Sequence, residues 1–121
     1  MIIKNFKELE IWKRSMNLAL KIYQTTRKFP KSEMFGITDQ MRRASCSVPS
    51  NIAEGWTRST NPSKIHFLDM ANSSLSELET FSMICEKLNY LNMFLYGSAI
   101  YAVFDFTNLA LFYKYSLNIA I

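Results

Sequence analysis

Gln40-Met41-Arg42-Arg43-Ala44-Ser45-Cys46-Ser47-Val48-Pro49-Ser50-Asn51-Ile52-Ala53-Glu54-Gly55 carries two patterns at once. Met41, Ala44, Val48 and Ile52 recur at steps of three and four, the spacing of one apolar helical face. Arg43, Ser47, Asn51, Glu54 and, just beyond, Arg58 recur at steps of four, four, three and four on another face. The segment therefore reads as a helix bearing an ordered polar stripe. Such a stripe is either a solvated surface or a built hydrogen-bond network. Pro49 lies inside the helix, where it frees the carbonyl of Ser45 and should kink the axis. Ser47 and Ser50 are close enough to help satisfy the loosened backbone groups.

Outward from this segment the chain reads as further helices. Three glycines and three prolines in 121 residues leave little material for many strands and turns. A first helix is expected from about Lys7 to Lys28. One of its seams is Leu9, Trp12, Met16, Ala19, Tyr23 and Thr26; a second is Ile11, Ser15, Leu18, Ile22 and Thr25. Two seams make a broad apolar arc, more than a single neighbouring helix needs. Phe29-Pro30 ends that helix. The second helix then spans roughly Gly36 to Arg58, with Thr38 or Ser32 as its cap. Asn61 as cap with Pro62 in the first helical position starts a third, running to about Asn89 with the seam Leu68, Ala71, Leu75, Leu78, Ser82 and Cys85. A fourth, capped by Asn92, begins at Met93 and holds one charge, Asp105, as far as Tyr113. Its length and apolarity raise the question of a membrane span. The central Asp105, the polar Ser98, Thr107 and Asn108, and the single flanking Lys114 argue against one.

The expected fold class is all-α: an up-down-up-down antiparallel four-helix bundle with a kinked second helix, one domain over residues 1–121. The surplus apolar surface on the first and fourth helices predicts a homo-oligomer.

Charge is uneven along the chain. Residues 1–64 hold twelve Lys/Arg against five Asp/Glu, whereas residues 65–121 hold two against five. The first part is therefore at +7 and the second at −3. A basic face of this kind attracts anions, nucleic acid among them, or pairs with the acidic part of the same molecule. Lys7, Arg14, Lys21 and Lys28 repeat every seven residues, a basic ridge expected opposite the Leu9–Trp12 seam and hence opposite the core. With Lys13, Arg27, Lys31, Arg42 and Arg58 it offers phosphate contacts; Lys7, Lys13, Arg14, Lys21, Lys28 and Arg58 are the candidate nucleic-acid-binding residues. A solvated outer face is the plainer reading of the same charges.

No catalytic constellation is legible. His66 has Asp69 three residues on but no second histidine, so no metal is expected. No glycine-rich phosphate loop is present, and no cofactor is expected. Cys46 and Cys85 lack metal-ligand spacing and read as two buried free thiols in a reducing, cytoplasmic setting. Arg43, Ser47, Asn51 and Glu54, with Glu77 from the next helix, read as a structural polar network; Asp39 and Glu54 each precede an arginine by four.

At this point a resemblance becomes specific. Phe6-Lys7-Glu8-Leu9-Glu10-Ile11-Trp12, Phe29 to Ile37, Gln40 to Ala44, Ser47 to Gly55, Phe67-Leu68 and Ala71 to Glu79 together resemble the four-helix bundle proteins encoded by intervening sequences of bacterial 23S ribosomal RNA genes. The likeness covers residues 6 to about 91 and departs at Ser73, where the family pattern usually has Gly. It implies a bundle that assembles as a homopentameric ring, and it does not imply an enzyme. The family is more distantly similar to accessory proteins of diversity-generating retroelements, which bind nucleic acid and a reverse transcriptase. The leading expectation is a cytoplasmic, non-enzymatic homo-oligomer that binds RNA or DNA through the first helix. The alternative is a protein-interaction scaffold with no nucleic-acid role.

Overall fold

The computed structural model describes residues 3–92, and among these every regular element is helical. A short 3-10 turn at Phe6–Glu8 is capped by Asn5, whose side chain accepts a hydrogen bond from the Lys7 amide at 2.9 Å. Leu9 then adopts an extended backbone (φ −72°, ψ 130°), so the first helix, α1, spans Glu10–Thr26 and not Lys7 to Lys28. Its first residue is acidic, which suits the positive end of the helix dipole.

Past Phe29-Pro30 and a 3-10 turn at Lys31–Glu33 comes α2, Ile37–Thr57. Neither Thr38 nor Ser32 caps it. Gly36 holds that position with no side-chain bond, and Asp39 supplies negative charge in the first turn. Pro49 lies within the continuous helix. Two side chains supplement the backbone beside it: Ser50 Oγ and Asn51 Nδ2 both donate to the Ser47 carbonyl, at 3.4 and 2.8 Å.

The third helix, α3, spans Asn61–Lys87. Its cap is Thr60, one residue earlier than expected; Thr60 Oγ1 accepts from the Ser63 amide at 3.3 Å. It closes with Asn89 at φ 61°, and the Tyr90 amide donates back to the Cys85 carbonyl at 2.8 Å. That left-handed residue with a return bond is a common way of satisfying the last free carbonyls.

The helices are antiparallel to their neighbours. Tyr23 meets Cys46 and Thr26 meets Arg42, so α2 runs back along α1. Ser47 meets Ser74 and Met41 meets Cys85, so α3 runs back along α2. The middle element is α2, packed against both others. One core joins all three. From α2 come Met41, Ala44, Val48 and Ile52; from α3 come Leu68, Ala71, Leu75, Leu78 and Cys85. Both stripes are those the periodicity predicts.

On α1 the two seams divide. Ile11, Ser15, Leu18 and Ile22 are buried, whereas Trp12 is half-buried and Met16 and Tyr23 are exposed. The core-facing seam is thus the second, and the Leu9–Trp12 seam is divided, with Leu9, Ala19 and Thr26 buried and Trp12, Met16 and Tyr23 turned outward. Ser73 is exposed, so its departure from glycine meets no packing constraint among the described residues. The expected fourth helix from Met93, its Asn92 cap and the self-association argued from it concern structure beyond the described residues. Among the described residues no helix is long and apolar enough to cross a membrane.

Candidate nucleic-acid interface

Arg14 and Lys21 share one flank of α1, and Lys13 lies about 90° round from them, opposite the buried seam. Lys13 and Lys21 are exposed and Arg14 is half-buried. Lys28 follows in the turn after the helix, exposed, and Lys7 precedes the helix in the 3-10 turn. Because extended Leu9 breaks the register, Lys7 is not in helical sequence with the others. The ridge also sits differently from expectation. At about 100° per residue, Arg14 and Lys21 lie about 80° from the buried seam and about 170° from the outward seam. It flanks the core and is opposite the outward apolar seam. Arg14 Nε bonds Glu10 Oε1 at 3.2 Å, an exposed pair of small energetic weight.

Arg58 stands at the end of α2, on the same end of the antiparallel pair as Lys7. Its guanidinium lies 4.4 Å from the centroid of the Phe67 ring, a cation–π contact, and not on Glu54. Arg42, a further candidate for the ridge, is engaged elsewhere. Its Nε donates to Thr26 Oγ1 at 2.9 Å and its guanidinium covers Tyr23 at 4.9 Å, which ties α2 to α1.

The polar stripe of α2 resolves into separate pieces. Asn51 Nδ2 donates to Ser47 Oγ at 2.8 Å, and Ser74 Oγ of α3 donates to the same oxygen at 2.8 Å. This Ser47–Asn51–Ser74 cluster bridges α2 and α3. Arg43 pairs with Asp39 at 2.9 Å on the exposed side. Glu54 and Glu77 are exposed, and no side-chain bond among the described residues brings either into the cluster. The expected five-residue network is therefore a smaller seryl–amide bridge, with Ser74 as the member that sequence reading missed. Ser74 is one of several serines on α3, and only the crossing of the helices singles it out.

Lys64 was equally hidden in the sequence. It is 9 % exposed, and its Nζ donates to the Trp56 carbonyl at 2.8 Å. An ammonium there meets the negative end of α2 and fastens the α2–α3 turn. Burial pushes it down from its ordinary 10.5. Below that lowered value both folded and unfolded chains hold the proton, and the buried charge costs stability. As pH rises from there towards 10.5 the folded chain loses the proton first, so stability rises. Lys64→Met is expected to abolish this rise. Urea unfolding of both proteins from neutral to alkaline pH checks it.

The cysteines differ from the expected buried pair. Cys46 is exposed; Cys85 is buried, and burial first, then the Glu33 carboxylate, push its thiol to about 11. Cys85 is expected to resist thiol reagents at pH 8 until the chain is unfolded, as a timed thiol assay with and without denaturant would show. His66 is exposed with its ring 5.5 Å from Phe67, and among the described residues no group of three potential ligands could hold a metal.

The described residues thus form an all-helical, antiparallel stack with basic residues on α1 and a serine–asparagine bridge between α2 and α3. The chain belongs to the 23S rRNA-intervening sequence protein family, whose model matches residues 7–102. The match takes in the whole Gln40–Gly55 segment and reaches eleven residues past Leu91, where the recognisable motifs end. No curated protein matches the chain.

Proposed function

We propose that this protein is a non-enzymatic, cytoplasmic, self-associating helical protein, a homopentameric ring by family resemblance, that binds RNA along the basic flank of α1. The observation that carries this reading is the run of exposed Lys13, Lys21 and Lys28 beside Arg14, on a part of the chain with a +7 balance. Lysines on a helix flank contact phosphates without reading sequence. The family description links these proteins to 23S rRNA, which favours RNA over DNA as the first ligand to try. Titration of structured RNA at increasing salt is the test. Binding should be measurable at low salt and weaken steeply as salt rises, by about 0.7 to 0.9 logarithmic units per phosphate contact for each tenfold rise in salt. Absence of binding at low salt would sink the reading.

The second reading, a protein-interaction scaffold, is favoured by one specific observation. Apolar side chains are exposed on α1 and in the turn after it, Leu20 at 57 % and Phe35 at 94 %. A stable protein partner that co-purifies, together with indifference to charge reversal on α1, would support it.

A further inference from the structure

The described helices bury one seam of α1 and only part of the other, leaving Met16 and Tyr23 exposed and Trp12 half-buried. The other opens onto a groove of about 360 Å³ between α1 and α2, lined by Trp12, Met16, Leu20, Tyr23, Pro49 and Ala53 among others. Its walls are almost wholly apolar, which marks it as a surface to be covered.

The same chain carries a side chain of the right kind. Phe35, in the turn before α2, is 94 % exposed, and Met34 beside it is 54 % exposed. Exposed aromatic and methionine side chains are characteristic anchors of protein interfaces. Phe35 does not reach its own groove. The groove residues of α2, Cys46 to Ala53, begin nine residues into the helix, so they lie about 13–24 Å along its axis from Ile37.

We infer that the Phe35 tip of one copy seats in the α1–α2 groove of the next. Knob and groove are different patches, so the contact is head-to-tail, and each copy carries one of each. Repetition of such a contact closes a ring or extends a filament. The contact also leaves Arg14 and Lys21 open, because they lie on the far side of α1 from the groove. The inference rests on the self-association part of the proposal above and needs no nucleic acid.

The test uses two variants at exposed positions, Phe35→Ala to remove the knob and Leu20→Arg to block the groove, with circular dichroism to verify the fold. Light scattering should find the wild type assembled and each variant alone monomeric. An equimolar mixture of the two should form a heterodimer, since the intact groove of one accepts the intact Phe35 of the other. Cys46 lines the groove, so its labelling in the native state should be about tenfold faster in Phe35→Ala than in the wild type. Four results overturn the inference: a monomeric wild type, a Phe35→Ala variant that assembles normally, a mixture that stays monomeric, or equal Cys46 labelling. The last is the outcome if residues 93–121 of the same chain fill the groove. All arms lack RNA, so failure here is distinct from failure of the phosphate-contact reading.

Discussion

Replacing Ile22 by alanine is expected to remove about 2–5 kcal/mol of stability, whereas the same change at Met16 removes less than about 1 kcal/mol. Ile22 is 1 % exposed and Met16 is 36 % exposed, although they occupy the same helix and both belong to apolar seams. At Ile22 the lost methyl groups leave a cavity in the packed core to which Leu18 and Val48 also belong. At Met16 the truncated side chain only widens an open groove. A domain of this size is stable by about 5–15 kcal/mol, so the Ile22 change puts the folded state at risk. Denaturant unfolding of both variants in the Phe35→Ala background, which keeps self-association out of the comparison, decides it. Equal losses would mean that the Trp12–Met16–Tyr23 seam carries the core after all.

Reversing the charge of Lys13, Arg14, Lys21 and Lys28 together, each to glutamate, is expected to weaken RNA binding at least about a hundredfold at low salt and to flatten its salt dependence by several contacts. Each change replaces an attraction to phosphate by a repulsion, so the effects accumulate. Three of the four side chains are exposed, and circular dichroism verifies that the fold survives the change at half-buried Arg14 as well. Lys87→Glu, at the end of α3, serves as the control, and should leave affinity close to that of the wild type. A quadruple variant that binds RNA as the wild type does would move the functional surface off α1.

The fold was legible where a helix had one apolar stripe. Met41, Ala44, Val48 and Ile52 on α2, and Leu68 to Cys85 on α3, are buried as their spacing requires. On α1 the spacing offers two stripes of similar apolarity, and periodicity cannot rank them. Which one is buried depends on how α1 lies against α2, set by contacts such as Arg42 with Thr26 and Tyr23. Those contacts join residues far apart in sequence. The same limit explains the site. The lysines of α1 were visible as a series, but Lys64 looked like any other lysine until α3 folded back and brought it to the Trp56 carbonyl. The off-by-one cap at Thr60 is a local error of another kind. Thr60 and Asn61 are both good caps, and the chain uses the one that leaves Pro62 at the second helical position, where its missing amide costs nothing.

The central place of α2 has a consequence for how the molecule opens. Val48 and Ile52 are fully buried, with α1 on one side of their helix and α3 on the other. Either outer helix can fray or lift while α2 stays held by its remaining neighbour, but α2 itself is released only when both interfaces part. Its backbone amides should therefore be the last of the described residues to exchange with deuterium, with those around Val48 and Ile52 approaching the rate of global unfolding.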